Sequence, residues 1–145
     1  MQAFPHHYKV NASARQEGAI TVSADGLPDI ESGPPASFGG SGDVWSPEDF
    51  FVAAAADCLI LTFRALARMK KFEWVAFDCQ GDGVLDKTDE GLKFTELHLR
   101  AKLTVPAGTD PAQAEELVLK AKKGCLVTKS MATEIFLTCE IETAG

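Results

Sequence analysis

The sequence predicts an α+β fold in which antiparallel sheets surround one long, buried central helix. Three observations carry this. The run from Ser46 to Lys71, SPEDFFVAAAADCLILTFRALARMKK, has helix signals at both ends and almost no polar face. The run from Lys93 to Val105, KFTELHLRAKLTV, alternates apolar and polar residues with the period of a half-buried strand. The inferred order is two strands, a helix, two strands, a helix and a strand, with no tandem repeat and no low-complexity tract.

Taken in order, His7 to Ala14 reads as a strand, Gln16-Glu17-Gly18 as a turn and Ala19 to Ala24 as a second strand, together a hairpin. Arg15 falls at the end of its first strand. Asp25 to Trp45 is punctuated by Gly and Pro so densely that no regular element is expected, and Phe38 and Trp45 are its apolar anchors. At the central helix, Ser46 is a capping residue, Pro47 suits the first position, and Glu48 and Asp49 place negative charge at the positive end of the dipole. Lys70 and Lys71 complement its other end. Its apolar positions, among them Phe50, Phe51, Val52, Leu59, Ile60, Leu61 and Phe63, predict burial on most sides.

Glu73 to Leu85 alternates as a strand broken toward its end by Gly81 and Gly83, and Asp86 to Gly91 turns the chain into the strand from Lys93. Asp110 and Pro111 open an amphipathic helix to Lys123, with Ala114, Leu117, Val118 and Ala121 as its stripe, and Gly124 stops it. Thr128 to Met131 suits a short turn of helix. Thr133 to Thr143 closes the chain as a strand with Ile135, Leu137, Cys139 and Ile141 on one face.

With 145 residues, 46% of them hydrophobic and 24% charged, residues 1–145 are expected to form a single domain with its own core. A net charge of −7 disfavours nucleic acid and anionic membranes as partners. A membrane span competes for the central helix, but Asp57, Arg64 and Arg68 interrupt it, and Asp57 is expected to pair with one of the two arginines. No apolar signal region follows the N-terminus, so a cytoplasmic location is expected. There the four cysteines, Cys58, Cys79, Cys125 and Cys139, would be reduced, and a disulfide among them transient. They form no Cys-x-x-Cys pair or zinc spacing, and His6, His7 and His98 make no ligand cluster, so no metal is expected.

Cys79 and Cys139 fall on apolar strand faces and read as small hydrophobes. Cys58 on its helix could be the same or a nucleophile. Cys125 follows a helix-ending Gly in a loop beyond Lys120, Lys122 and Lys123, where a thiol could reach solvent or a partner. Taken alone, Glu48 fits a dipole-favoured acid and Arg15 a solvated turn residue.

The run SPEDFFVAAAADCLILTFRALA resembles the central helix of the OsmC/Ohr proteins, thiol peroxidases that reduce hydroperoxides. GCLVTKSM resembles the segment bearing that family's second cysteine, and ARQEGAITVSADGLPDI its N-terminal hairpin and loop. The resemblance implies an OsmC-like intertwined homodimer, with Cys58 as peroxidatic cysteine, Cys125 as resolving cysteine, and Arg15 and Glu48 as the pair that activates Cys58. It also implies an external dithiol reductant, a lipoyl-bearing protein being one such, and no cofactor. Where the family has Pro and Ser after the second cysteine, this chain has Leu126 and Thr128.

The chemistry of such a site makes demands of its own. Peroxide is attacked by thiolate, and an ordinary thiol with a pKa near 8.5 is mostly protonated at neutral pH. Cys58 lies about three turns into its helix, beyond the reach of the dipole. A guanidinium must supply the activation, and a carboxylate can hold its planar fork by two parallel bonds. Glu48, about 15 Å along the helix from Cys58, is too far for direct contact but could be that holder. Apolar walls from Phe38, Trp45, Phe50 and Phe51 would favour organic hydroperoxide substrates. A non-catalytic alternative fits the same residues: a dimeric small-ligand-binding domain with inert thiols.

Overall fold

The computed structural model describes residues 1–145, which divide into two compact units, Met1–Phe50 and Phe51–Gly145. Each carries a three-stranded sheet.

In the N-terminal unit β1 (Asn11–Ser13), β2 (Ile20–Ser23) and β3 (Ile30–Ser32) pair antiparallel in sequence order. The predicted hairpin is present but shorter, with His7 to Val10 outside β1. The span from Asp25 to Trp45 is more regular than expected. It contributes β3 and a single 3-10 turn at Ala36–Phe38, and Ser32 bridges to Trp45 while the Gly33 N–H donates to the Trp45 carbonyl at 2.9 Å. At Gly40 the backbone packs too closely for a side chain, since a Cβ there would overlap the Pro34 carbonyl. Neither Phe38 nor Trp45 anchors this segment by burial, each being half exposed; backbone bonds from Phe38 and Gly40 to Pro35 close the turn.

The long helix α1 (Pro47–Lys70) starts as its sequence predicts. Ser46 Oγ accepts from the Asp49 N–H at 3.1 Å, and Asp49 Oδ2 accepts from the Ser46 N–H at 3.0 Å, a reciprocal cap with Asp as the returning acid.

In the C-terminal unit β4 (Ala76–Thr88) and β5 (Gly91–Val105) form an antiparallel hairpin, and β6 (Glu134–Thr143) joins β5 in parallel. The expectation of antiparallel sheets therefore holds for every pairing but this last. A parallel neighbour requires a crossover, and α2 (Pro111–Gly124) and the short α3 (Leu126–Lys129) supply it. Asp110 caps α2 by accepting from the Ala112 N–H at 3.0 Å.

The core lies on the inner face of this sheet. Leu97, Leu99, Ala101, Leu103 and Val105 of β5 meet one stripe of α1, Ala55, Leu59, Phe63 and Ala67, and one stripe of α2, Ala114, Leu117, Val118 and Ala121. Full burial of Leu59 and Phe63 stabilises the unit by roughly 1.5–3 kcal/mol each. Phe63 is surrounded by Phe72, Trp74 and Phe77 at centroid distances of 6.4, 5.5 and 4.9 Å. The chain does not bury α1 on most sides as expected. One sheet and one helix cover one stripe, leaving Leu61 51% and Met69 79% exposed. Asp57, Arg64 and Arg68 are likewise exposed, and no ion pair forms among them.

Gly81 and Gly83 do not break β4, which continues to Thr88 and turns at Asp89 and Glu90. They admit the helix: a Cβ at either position would lie 2.7 Å from a Val52 methyl of α1. A β-bulge beside Val84 and Leu85 leaves Thr95 out of register and turns Phe94, expected on the polar side of β5, inward to stack on Phe51 at 4.6 Å. At Gly83 an added Cβ would also meet the Phe94 ring at 2.9 Å. Gly83→Ala is therefore expected to lower stability by about 1–3 kcal/mol, read as a lower denaturation midpoint in urea at unchanged slope.

Candidate active site

The crossover delivers Cys125 to α1. At the junction of α2 and α3 the backbone of Cys125 is extended, its carbonyl accepts from the Lys129 N–H at 3.1 Å, and its side chain turns inward to become 1% exposed. The sequence places this thiol in an accessible loop, which the structure corrects. Its side chain is buried because α2 is held on the core up to Ala121, which brings the turn after it to Cys58 of α1.

Cys58, half-buried, is engaged on three sides. Cys125 and the Val127 backbone N–H lie close enough to act on its sulfur. The Thr62 hydroxyl, one helical turn on, lies 3.8 Å from Sγ and donates to the Cys58 carbonyl at 2.7 Å. Burial pushes the Cys58 thiol up; Val127 and Thr62 oppose that, while Cys125 and its charge reinforce it, leaving the thiol raised. Cys125 goes the other way. Burial raises it too, but donation from the Thr128 hydroxyl and N–H, from Cys58 and from the Val127 N–H outweighs burial and lowers it. The contacts within the chain thus push the two thiols in opposite directions.

The two departures after Cys125 have separate consequences. Leu126 is 70% exposed and takes no part in the thiol contacts. Thr128 is buried, and its hydroxyl lies 3.2 Å from the Cys125 carbonyl oxygen as well as acting on the thiol, so it retains the hydroxyl that a Ser would bring. Cys79 and Cys139 flank Ala101 on the inner sheet face. Burial, helped by Asp78, pushes Cys79 to about 11, and burial with Glu115 raises Cys139. Both suit small core residues better than nucleophiles.

Arg15 and Glu48 belong to the N-terminal unit and do not pair within it. Arg15 is exposed between β1 and β2 without an ion-pair partner. Glu48 Oε2 is buried and has no hydrogen-bond donor. Of the expected apolar walls, Trp45 stacks on Phe50 at 5.8 Å with rings 2° from parallel. Phe51 instead stacks on Phe94, as consecutive helical residues pointing about 100° apart must find different partners. No three His, Cys, Asp or Glu side chains gather as a metal site. Thr62 was not legible as a site residue, although its place four positions after Cys58 on one helix is a signal that could have found it.

The family model for OsmC-like proteins matches residues 40–140 of this chain, from the segment before α1 to within β6. The chain belongs to the OsmC-like family. It is 30% identical over 98 residues to the peroxiredoxin OsmC of Escherichia coli, covering 68% of each chain. In structure, an OsmC-like protein of unknown function from Vibrio cholerae matches with a TM-score of 0.86 at 20% identity, over 93% of this chain and 99% of that one. The organic hydroperoxide resistance protein OhrB of Bacillus subtilis matches with a TM-score of 0.67 at 25% identity, over 94% and 98%. The Vibrio structure bears on the fold alone. By length and composition α1 could cross a membrane. In this OsmC-like fold it is instead the core helix of a soluble protein, with its buried stripe on the sheet.

Proposed function

We propose that this OsmC-like chain is a cysteine-dependent peroxidase that reduces organic hydroperoxides to alcohols. The observation that carries the reading is the proximity of Cys58 and Cys125, two thiols from different elements that act on one another. Cys58 thiolate attacks the distal oxygen of ROOH, the O–O bond breaks, the alkoxide leaves and is protonated to ROH, and Cys58 becomes a sulfenic acid. Cys125 thiolate then attacks that sulfur, forming a Cys58–Cys125 disulfide and releasing hydroxide, which is protonated to water. The lowered Cys125 suits this second step. An external dithiol, such as that of a lipoyl protein, closes the cycle by reducing the disulfide.

The first step needs negative charge on Cys58, whose thiol is pushed up by burial and by Cys125. A guanidinium beside the sulfur would stabilise that charge, and two unsatisfied groups support Arg15 and Glu48 as its source and holder. Glu48 Oε2 lacks a donor and Arg15 lacks an acceptor. We infer that residues 1–145 act as one domain within an intertwined homodimer in the cytoplasm. The apolar side of α1 left open, with Leu61 and Met69, supports a second copy as its cover. Phe38, Trp45, Phe50 and Phe51 would wall the peroxide site.

One equivalent of cumene hydroperoxide is expected to remove two of the four thiols within the mixing time of a manual assay, and faster than hydrogen peroxide does. Equal turnover of both peroxides would remove the role of the apolar walls. The raised Cys58 favours a second reading, a dimeric small-ligand-binding domain with inert thiols. No thiol loss over hours would select it.

A further inference from the structure

We propose that Thr62 is a positioning residue for the thiol pair, its hydroxyl being the donor that Cys58 takes up as its sulfur becomes charged. A threonine that donates back to the carbonyl four residues earlier is common in helices and by itself means little. Thr62 differs in its two other contacts. Its oxygen is 3.8 Å from Cys58 Sγ, and its methyl faces the turn that bears Cys125, 3.4 Å from where a Cβ on Gly124 would stand. The methyl thus packs against the Gly124 turn while the hydroxyl stays between the Cys58 carbonyl and sulfur.

A hydroxyl has one proton to donate. With Cys58 protonated, that proton goes to the Cys58 carbonyl at 2.7 Å. On ionisation the hydroxyl can turn to the sulfur at little cost, since the carbonyl still receives the helical N–H of residue 62. The titratable group facing Cys58 from a packed element is Cys125, whose charge opposes ionisation of Cys58. On its own helix the neighbouring acid, Asp57, is exposed and points about 100° away. Thr62 therefore acts against both the burial and the second thiol, without outweighing them.

The inference rests on Cys58 being the reactive thiol, but its test needs no peroxide. The pH profile of Cys58 alkylation by iodoacetamide, followed by peptide mass spectrometry in the full chain, is compared across variants. Thr62→Val keeps the shape and loses the hydroxyl, and is expected to move the midpoint up by about one pH unit. Thr62→Ala should shift it the same way, and Thr62→Ser should restore the wild-type midpoint. An unmoved profile in Val and Ala variants overturns the role, as does a Ser variant shifted as far as the Val one, which would assign the effect to packing. A chain inert to peroxide would still show the shift, so failure of the peroxidase reading and failure of this one are distinguishable.

Discussion

Cys58→Ser is expected to lower peroxide-driven thiol loss by on the order of 10³-fold or more, to the background of the remaining cysteines. Cys125→Ser should stop the reaction one step later. The first turnover proceeds, one thiol is lost, and the Cys58 sulfenic acid persists and is trapped by dimedone. The first step should not slow in that variant. The charge of Cys125 raises the Cys58 thiol, and a Ser hydroxyl carries none, so the substitution lowers Cys58 and leaves more thiolate at neutral pH. The asymmetry between the two variants assigns the order of attack. If Cys125→Ser were the one to abolish thiol loss and Cys58→Ser left a trappable sulfenic acid on Cys125, the roles would be reversed.

Removing the guanidinium should be the next largest loss. A hydrogen bond to a charged partner is worth about 1.5–3 kcal/mol, so Arg15→Ala is expected to slow sulfenic acid formation at neutral pH by roughly 10–100-fold. Its pH dependence follows from the sign of the Cys58 shift. A thiol raised by burial ionises only as pH climbs, so the rate of the Arg15→Ala variant should recover toward wild type in alkaline buffer. Glu48→Gln keeps an acceptor while losing the charge and should show a milder form of the same profile. Stopped-flow measurement of the first oxidation step across pH checks both. A rate and profile unchanged by Arg15→Ala would remove Arg15 from the mechanism.

Local chemistry in the sequence announced most of the elements. The Ser46 and Asp110 caps, the Gly124 stop and the alternation from Leu97 to Val105 each act within a few residues, and each element formed where those signals put it. What alternation does not carry is strand direction, so the parallel pairing of β6 was missed, although the long helical connection between Val105 and Glu134 is what a crossover needs. The same omission hid the burial of Cys125, because only the crossover brings its turn onto α1. Gly81 and Gly83 looked like breakers because their purpose, the approach of Val52, lies on another element.

The candidate site was legible in pieces. Cys58 and Cys125 were named from the resemblance of their segments, and the structure brings them together. Arg15 and Glu48 emerge as groups without partners, which keeps their role a proposal. Thr62 escaped because a lone threonine in an apolar helix reads as tolerated polarity until its neighbours are known.

The most direct test of the central claim is the map of the disulfide formed after one equivalent of cumene hydroperoxide, read by peptide mass spectrometry of the non-reduced wild-type chain. The account predicts one intrachain link, Cys58 to Cys125, with Cys79 and Cys139 still reduced. A link through Cys79 or Cys139, or oxidation that leaves Cys58 a free thiol, would contradict it.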